Sequence, residues 1–119
     1  MRRHARQTRL AEVGPGGQAK IAAASAEVPG EGLAALVAAR YLAGAGLAGL
    51  RVREAAAAAW AQAMDARVRV DVDPLLEGAL PAAPSEIRDP AARQLAAGAL
   101  HALGVLRSVL ALGPGDQAG

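Results

Sequence analysis

The chain contains a glycine-rich stretch, Ala26-Glu27-Val28-Pro29-Gly30-Glu31-Gly32-Leu33-Ala34-Ala35. Within it, Gly30, Gly32 and Ala35 follow the pattern G-x-G-x-x-A, which is typical of the turn between the first strand and the first helix of nucleotide-binding α/β folds. In such a turn the first glycine allows the sharp bend, the second lets a phosphate approach the backbone, and the alanine lets the helix pack closely on the sheet. The stretch therefore predicts a strand, a phosphate-binding loop and a helix, in that order.

An acidic residue follows this loop at a suitable distance. Glu54 lies about twenty residues further on, at the end of a second predicted strand, where such folds place an acid that binds the ribose. The helix after the loop would offer free N–H groups and the positive end of its dipole to the phosphates. Gly30, Gly32 and Glu54 are therefore candidate nucleotide-binding residues.

The remaining sequence predicts an alternation of helices and strands around this loop. Hydrophobic periodicity, glycines and prolines mark the element boundaries. The predicted helices cover 3–10, 18–24, 31–45, 54–66 and 90–112, and the predicted strands cover 25–29, 49–53 and 67–73. We expect an α/β fold: a minimised Rossmann-like domain with about three mostly parallel strands, an N-terminal helical segment and a long C-terminal helix. Residues 1–113 are expected to form this single domain, and 114–119 a flexible tail.

Two of the predicted strands have informative compositions. A parallel strand that is buried on both faces normally consists of β-branched residues, whereas Glu27 lies in the middle of 25–29 and Pro29 removes a hydrogen-bond donor at its end. The strand at 67–73 alternates strictly between valine and charged residues. This alternation predicts a strand at the edge of the sheet, with its valine side in the core and its charged side in water.

The composition indicates a domain with a thin core. The 119 residues are 53% apolar, with no phenylalanine and a single tryptophan, and most of the apolar residues are alanine, leucine or valine. Because the burial of alanine contributes little free energy, we expect a partner chain to supply part of the buried surface. The absence of cysteine excludes disulfides, thiolate metal ligands and a cysteine nucleophile, and two histidines cannot form a metal site alone. We expect no metal.

Neither membrane insertion nor secretion is predicted. The most apolar runs, 32–50 and 91–112, both contain charged residues, so neither is a clean membrane span. The start Met1-Arg2-Arg3-His4 is not followed by the apolar segment that a secretory signal requires. We expect a cytoplasmic protein.

A basic cluster precedes the first strand. Its members are Arg2, Arg3, Arg6, Arg9 and Lys20, against the single acid Glu12. Three interpretations are open: a solvated face, contact with phosphates across a dimer, and nucleic-acid binding. No aromatic residue is interleaved with these charges, which argues against the recognition of single strands.

Residues 3–54 carry a linked series of short motifs. They read Arg3-His4-Ala5-Arg6-Gln7-Thr8-Arg9-Leu10, Glu12-Val13-Gly14, Gly17-Gln18-Ala19-Lys20-Ile21, Gly30-Glu31-Gly32-Leu33-Ala34-Ala35 and Tyr41-Leu42-Ala43-Gly44-Ala45-Gly46-Leu47. In this order and spacing they resemble the N-terminal portion of the ThiF/MoeB/HesA family, the adenylyltransferases related to ubiquitin-activating enzymes. The predicted helix around 96–107 is similar to the helix that closes this family's domain.

The resemblance implies roles for four residues. Arg6 matches the arginine that reaches the ATP phosphates of the neighbouring subunit. Gly30 and Gly32 match the phosphate loop, and Glu54 stands where an aspartate holds the ribose. Because the family dimerises through its Rossmann domains, the resemblance also implies a homodimer or a heterodimer with an active paralogue. A ubiquitin-like carrier protein would be a further partner.

The chain departs from the family at the residues that carry out adenylation. Leu33 replaces the third glycine of the loop, and Glu31 places a negative charge beside the expected triphosphate. After Glu54 the family's asparagine-arginine-glutamine segment, catalytic lysine, magnesium-binding aspartate, zinc-binding cysteines and transfer cysteine are missing from the sequence.

These departures predict a pseudoenzyme. We expect a non-catalytic relative of the adenylyltransferases that acts as a dimeric structural or partner-binding module, with no catalytic residue. We expect no cofactor. ATP is the only cofactor for which the loop stays a candidate site. The alternatives are an adenine-nucleotide-binding sensor or residual adenylyltransferase subunit, and a basic nucleic-acid-binding protein.

Overall fold

The computed structural model describes residues 14–111, which form a three-stranded parallel sheet covered by helices. The elements are α1 (Gly14–Ala23), β1 (Ser25–Val28), α2 (Leu33–Ala45), β2 (Gly49–Val52), α3 (Ala55–Met64), β3 (Arg69–Val72) and α4 (Pro90–Ala111). This arrangement confirms the predicted α/β class, the helix before the sheet and the long C-terminal helix. The helical turns predicted at 3–10, the candidate residue Arg6 and the tail predicted at 114–119 lie outside the described residues.

The sheet has the strand order β1-β2-β3, and both strand pairs are parallel. In this register Val28 lies beside Val52, and Val52 lies beside Val72. Each parallel pair needs a crossover connection, which α2 supplies between β1 and β2 and α3 supplies between β2 and β3. Because α2 packs against both α3 and α4, it lies in the middle of the helical layer.

The core lies between this helical layer and one face of the sheet. Its largest fully buried side chains are Leu42 of α2, Val28 of β1 and Val52 of β2. Most of the other buried residues of α2 and α3 are alanines. Side chains this small fill little space, so the helices have to approach each other and the sheet closely.

Helix α4 packs closely on α2 at Gly98. A Cβ at this position would overlap the carbonyl oxygen of Ala34 and would lie 2.9 Å from the Cβ of Val37. The sequence predicts close helix–helix approach at both Gly98 and Gly104; this is confirmed for Gly98 and wrong for Gly104, where a Cβ would meet nothing within 4 Å. Among the described helices, α4 alone is long and apolar enough to cross a membrane, a test that core helices of soluble proteins also pass.

The second face of the sheet is polar and exposed. It carries Ser25 and Glu27 of β1, Arg51 of β2, and Arg69 and Asp71 of β3. Glu27 Oε2 lies 3.8 Å from Arg51 Nη1. Glu27, which is unusual in a buried parallel strand, therefore lies on a face that the described residues leave open to solvent.

Two details differ from the prediction for physical reasons. Helix α1 begins at Gly14, although the sequence predicts that Gly14-Pro15-Gly16-Gly17 breaks the helix. Pro15 is tolerated because it lies in the first turn, where its missing N–H has no helical partner to lose. Strand β3 is the predicted edge strand, but Val72 is 45% exposed, so its valine side is not wholly in the core.

Candidate functional site

The glycine loop joins β1 to α2 at the carboxyl end of the sheet. Gly30 has φ +94° and Gly32 has φ +78°, a region that favours glycine because other residues carry a Cβ. The loop therefore makes the sharp turn that the spacing predicts. Glu54 follows β2 as the N-cap of α3, so the fold brings three of the four candidate residues together at neighbouring strand ends. The fourth, Arg6, lies outside the described residues.

The carboxylate of Glu54 lies on the loop itself. Its Oε1 accepts a hydrogen bond from the Gly32 N–H at an N···O distance of 2.9 Å. A phosphate bound in the predicted way would accept hydrogen bonds from the N–H groups of this loop and of the first turn of α2. The Glu54 carboxylate thus accepts the hydrogen bond of an N–H group that a phosphate would otherwise use.

Gln94 of α4 occupies a second donor. Its Oε1 accepts a hydrogen bond from the Ala34 N–H at 3.2 Å. The same oxygen lies 3.3 Å from the position that a Cβ on Gly32 would take, so it lies directly against the loop. The first N–H groups of a helix have no partner within the helix, and here Gln94 accepts the one of Ala34.

The connector between β3 and α4 covers the loop. A Cβ on Gly30 would lie 3.3 Å from Cγ of Leu80, and a Cβ on Gly78 would lie 3.2 Å from Cβ of Pro29. Leu76 of the same connector is buried. In open α/β sheets, ligands bind in the crevice outside the carboxyl ends of the strands. Here the connector fills part of that crevice.

The charges around the loop suit a bound polyanion poorly. Two carboxylates, Glu31 and Glu54, flank it, and Arg53 Nη2 already lies 3.6 Å from Glu31 Oε2. The only lysine of the chain, Lys20, donates from Nζ to the carbonyl oxygen of Leu110 at 3.2 Å, at the far end of α4. Within residues 14–111, no group of three or more His, Asp or Glu side chains is placed to hold a metal ion.

Two residues at the loop, Gln94 and Leu80, escape prediction from the sequence. Gln94 reaches the loop from α4, which packs across α2, and Leu80 reaches it from the connector. No local pattern shows which of these segments pack together. One signal does fix where Gln94 lies along α4. Asp89 directly before Pro90 is a typical start of a helix, and Asp89 Oδ2 accepts a hydrogen bond from the Ala92 N–H at 2.9 Å. This cap places Gln94 in the first turns.

A second feature, the apolar groove, lies on the outer side of the helical layer. Its floor is α2, its walls are α3 and α4, and its volume is about 940 Å³. The guanidinium of Arg40 lies 6.0 Å from the ring centre of Trp60 at this groove. The exposed apolar residues that line it are Tyr41, Trp60, Met64, Leu95 and Leu103. The alanine-rich sequence of 54–66 and the glycines of 91–112 make these two helices candidate contact surfaces, and they supply the walls of the groove.

Comparison of the chain with protein-family models, with curated proteins and with solved structures finds no significant match. The resemblance to the ThiF/MoeB/HesA family therefore stays a prediction. What the chain does has to be inferred from its own geometry.

Proposed function

We propose that the chain is a non-catalytic, dimeric module of Rossmann-like fold, in which the glycine loop works as a structural turn and not as a nucleotide site. The observation that carries this proposal is the capping of the loop: Glu54 accepts the Gly32 N–H and Gln94 accepts the Ala34 N–H. The glycines are retained because only residues that tolerate positive φ can join β1 to α2 at this angle.

A nucleotide triphosphate would meet two obstacles at this loop. Its phosphates would have to displace both capping oxygens, and Leu80 as well, before they reached the backbone N–H groups. They would also lie beside the carboxylates of Glu31 and Glu54. One like-charge contact at ~4 Å is unfavourable by about 1 kcal/mol in water and by about 4 kcal/mol at an effective dielectric of 20. Both obstacles support the loss of adenylation chemistry.

Two properties of the molecule support self-association. Half of its core residues are alanine, which contributes little free energy on burial, while aromatic and aliphatic side chains stay exposed in the apolar groove. Contiguous apolar patches on soluble proteins commonly mark interaction sites. The partner in this proposal is a second copy of the chain. An active paralogue is the other candidate, and a ubiquitin-like carrier protein would bind the resulting cytoplasmic assembly.

An adenine-nucleotide-binding sensor, or a residual adenylyltransferase subunit, is the alternative. One observation favours it: the fold brings Gly30, Gly32 and Glu54 together as the spacing predicts. In that case Glu54 would exchange its bond to the Gly32 N–H for a bond to a ribose hydroxyl. The N-terminal arginines, on which the nucleic-acid alternative depends, lie outside the described residues.

Calorimetric titration of ATP, AMP and NAD into the purified chain, with its mass in solution measured by light scattering, tests the proposal. We expect no heat of binding at millimolar nucleotide and the mass of a dimer. Micromolar ATP binding that a Gly32→Glu substitution abolishes would overturn the structural role of the loop. The mass of a monomer at high protein concentration would overturn the dimeric part.

A further inference from the structure

The two edges of the sheet differ in how the fold covers them. At β1, His101 of α4 donates a hydrogen bond from Nε2 to the carbonyl oxygen of Glu27 at 2.9 Å; because a carbonyl only accepts, Nε2 carries the proton. At β3, no element within residues 14–111 pairs with the outer side of the strand. An uncovered strand edge is a template for pairing with another chain. The edge at β3 is therefore the one available to a partner.

The outer side of β3 presents unpaired backbone groups. The N–H groups of Arg69 and Asp73 donate to carbonyl oxygens of the β2 segment, at 3.1 and 2.7 Å. The odd-numbered residues of this strand therefore face β2. Because the backbone groups of successive residues alternate in direction, Val70 and Val72 direct their N–H and C=O groups away from the sheet.

The residues along this edge are complementary in charge to a second copy of themselves. The stretch Arg67-Val68-Arg69-Val70-Asp71-Val72-Asp73 has valine at its centre, arginine one and three residues before it, and aspartate one and three residues after it. In two antiparallel copies with Val70 opposite Val70, Arg69 of each lies opposite Asp71 of the other. Valine then lies opposite valine on the other face.

Other registers lose this match. A shift by one residue places valine opposite a charged residue on both faces. A shift by two residues places two aspartates or two arginines opposite each other at the centre, which is unfavourable across a strand pair. The antiparallel register centred on Val70 therefore suits both faces.

We propose that two copies of the chain pair antiparallel along β3, with Val70 at the two-fold axis, and join their sheets into one sheet of six strands. This inference rests on the self-association proposed above and assigns it to the β3 edge, a surface separate from the apolar groove. The two copies of Val70 exchange two backbone hydrogen bonds across the axis, and Arg69 and Asp71 form the same ion pair twice by symmetry. Within residues 14–111 neither Arg69 nor Asp71 has an ion-pair partner.

The outermost charges of the stretch take a smaller part. Arg67 donates from Nε and Nη2 to the carboxylate of Asp65 at 3.1 and 3.2 Å, and these bonds hold the pKa of Asp65 below its usual range. Asp73 accepts a hydrogen bond from the Leu75 N–H at 3.0 Å. Both side chains already have partners within their own chain, so the pairing depends on the central residues of the stretch.

The surroundings of β3 fit this arrangement. The exposed side chain of Val72 would pack across the axis on the valine face of the second copy. Helix α3, which lies over this side of the sheet, exposes Ala55, Ala59 and Gln62 on a different face from the one that carries Trp60. The small side chains of Ala55 and Ala59 would let the two copies of α3 approach each other across the axis.

Charge-swap variants test this interface, by light scattering and sedimentation over a range of protein concentrations. Arg69→Asp places two aspartates opposite each other at both symmetric positions, and Asp71→Arg does the same with two arginines. We expect either variant to raise the dimer dissociation constant by about tenfold or more, since like-charge cross-strand pairs replace attractive ones. An equimolar mixture of the two variants is expected to recover the dimer, because every pair in the mixed dimer again has opposite charges.

Arg107→Asp is the matched control, because it makes the same change in charge at an exposed position of α4; we expect it to dimerise like the wild type. A monomeric wild type would overturn the proposed self-association itself. A wild-type dimer that neither variant weakens would overturn the β3 interface and leave self-association standing on another surface. Variants that lose the dimer but do not recover it on mixing would also overturn the interface.

Discussion

At Gly98, α4 packs closely against the backbone of α2. A Cβ there would lie 2.9 Å from the Cβ of Val37 and 3.1 Å from the backbone N of Ala38, so the two helices would have to separate to admit a methyl group. We expect Gly98→Ala to lower the free energy of unfolding by about 1–3 kcal/mol, the usual range for overpacking a core. Urea denaturation followed by circular dichroism measures this difference.

Gly104, on the same helix, gives the matched control. A Cβ at this position would meet nothing within 4 Å, so the substitution changes helix propensity without a steric clash. We expect Gly104→Ala to raise the free energy of unfolding, by up to about 1 kcal/mol. If the two substitutions shifted stability in the same direction and by the same amount, close packing at Gly98 would be contradicted.

At the scale of elements, Gln94 connects α4 to the beginning of α2. Its Oε1 is the acceptor for the Ala34 N–H, and without it that donor has to find water beside a covered loop. We expect Gln94→Ala to lower the free energy of unfolding by about 0.5–1.5 kcal/mol, as for the loss of one hydrogen bond. We also expect faster hydrogen exchange at the Ala34 amide.

Gln18→Ala provides the comparison for that substitution, since Gln18 is exposed on α1 and its truncation should change the stability by less than about 0.5 kcal/mol. An Ala34 amide that exchanges equally fast in the wild type and in the Gln94→Ala variant would show that the cap does not form in solution. In that event only the bond from the Gly32 N–H to Glu54 would remain to oppose phosphate binding at the loop.

The elements that could be predicted are those whose signals are local. Asp89 and Pro90 mark the start of α4, Gly46 ends α2 with φ +99°, and the alternation in 67–73 places β3 at an edge. The spacing of Gly30 and Gly32 likewise locates the loop. These features depend on residues a few positions apart, so the sequence alone suffices for them.

The features that could not be predicted depend on which elements meet. Glu27 is unusual for a parallel strand only if both faces of the sheet are covered, and the sequence does not show that one face is open. Leu80 and Gln94 reach the loop from the connector and from α4, so their contacts follow from tertiary packing. The sequence therefore locates the candidate loop. It does not show that the side chains of Glu54, Gln94 and Leu80 contact this loop.

At the scale of the whole molecule, the described helices cover one face of the sheet. Parallel sheets are almost always covered on both faces, and here the open face carries charged residues such as Glu27 and Arg51, which remain solvated. Among the described residues, this open face therefore has no apolar surface that a second layer of helices could bury. Because half of the core residues are alanine, which contributes little free energy on burial, we expect association in the proposed dimer to supply a substantial part of the stability.

The proposed dimer predicts a melting temperature that depends on protein concentration. Because dimerisation adds free energy only to the folded state, we expect the wild-type melting temperature to rise by about 2–4 °C for each tenfold increase in concentration. The Arg69→Asp variant should melt at a lower temperature with little dependence on concentration over the range in which it is monomeric. Scanning calorimetry at several concentrations, with the mass of each sample checked by light scattering, measures both. A wild-type dimer whose melting temperature does not change with concentration would contradict the linkage between folding and association, because its two subunits would then unfold independently of each other.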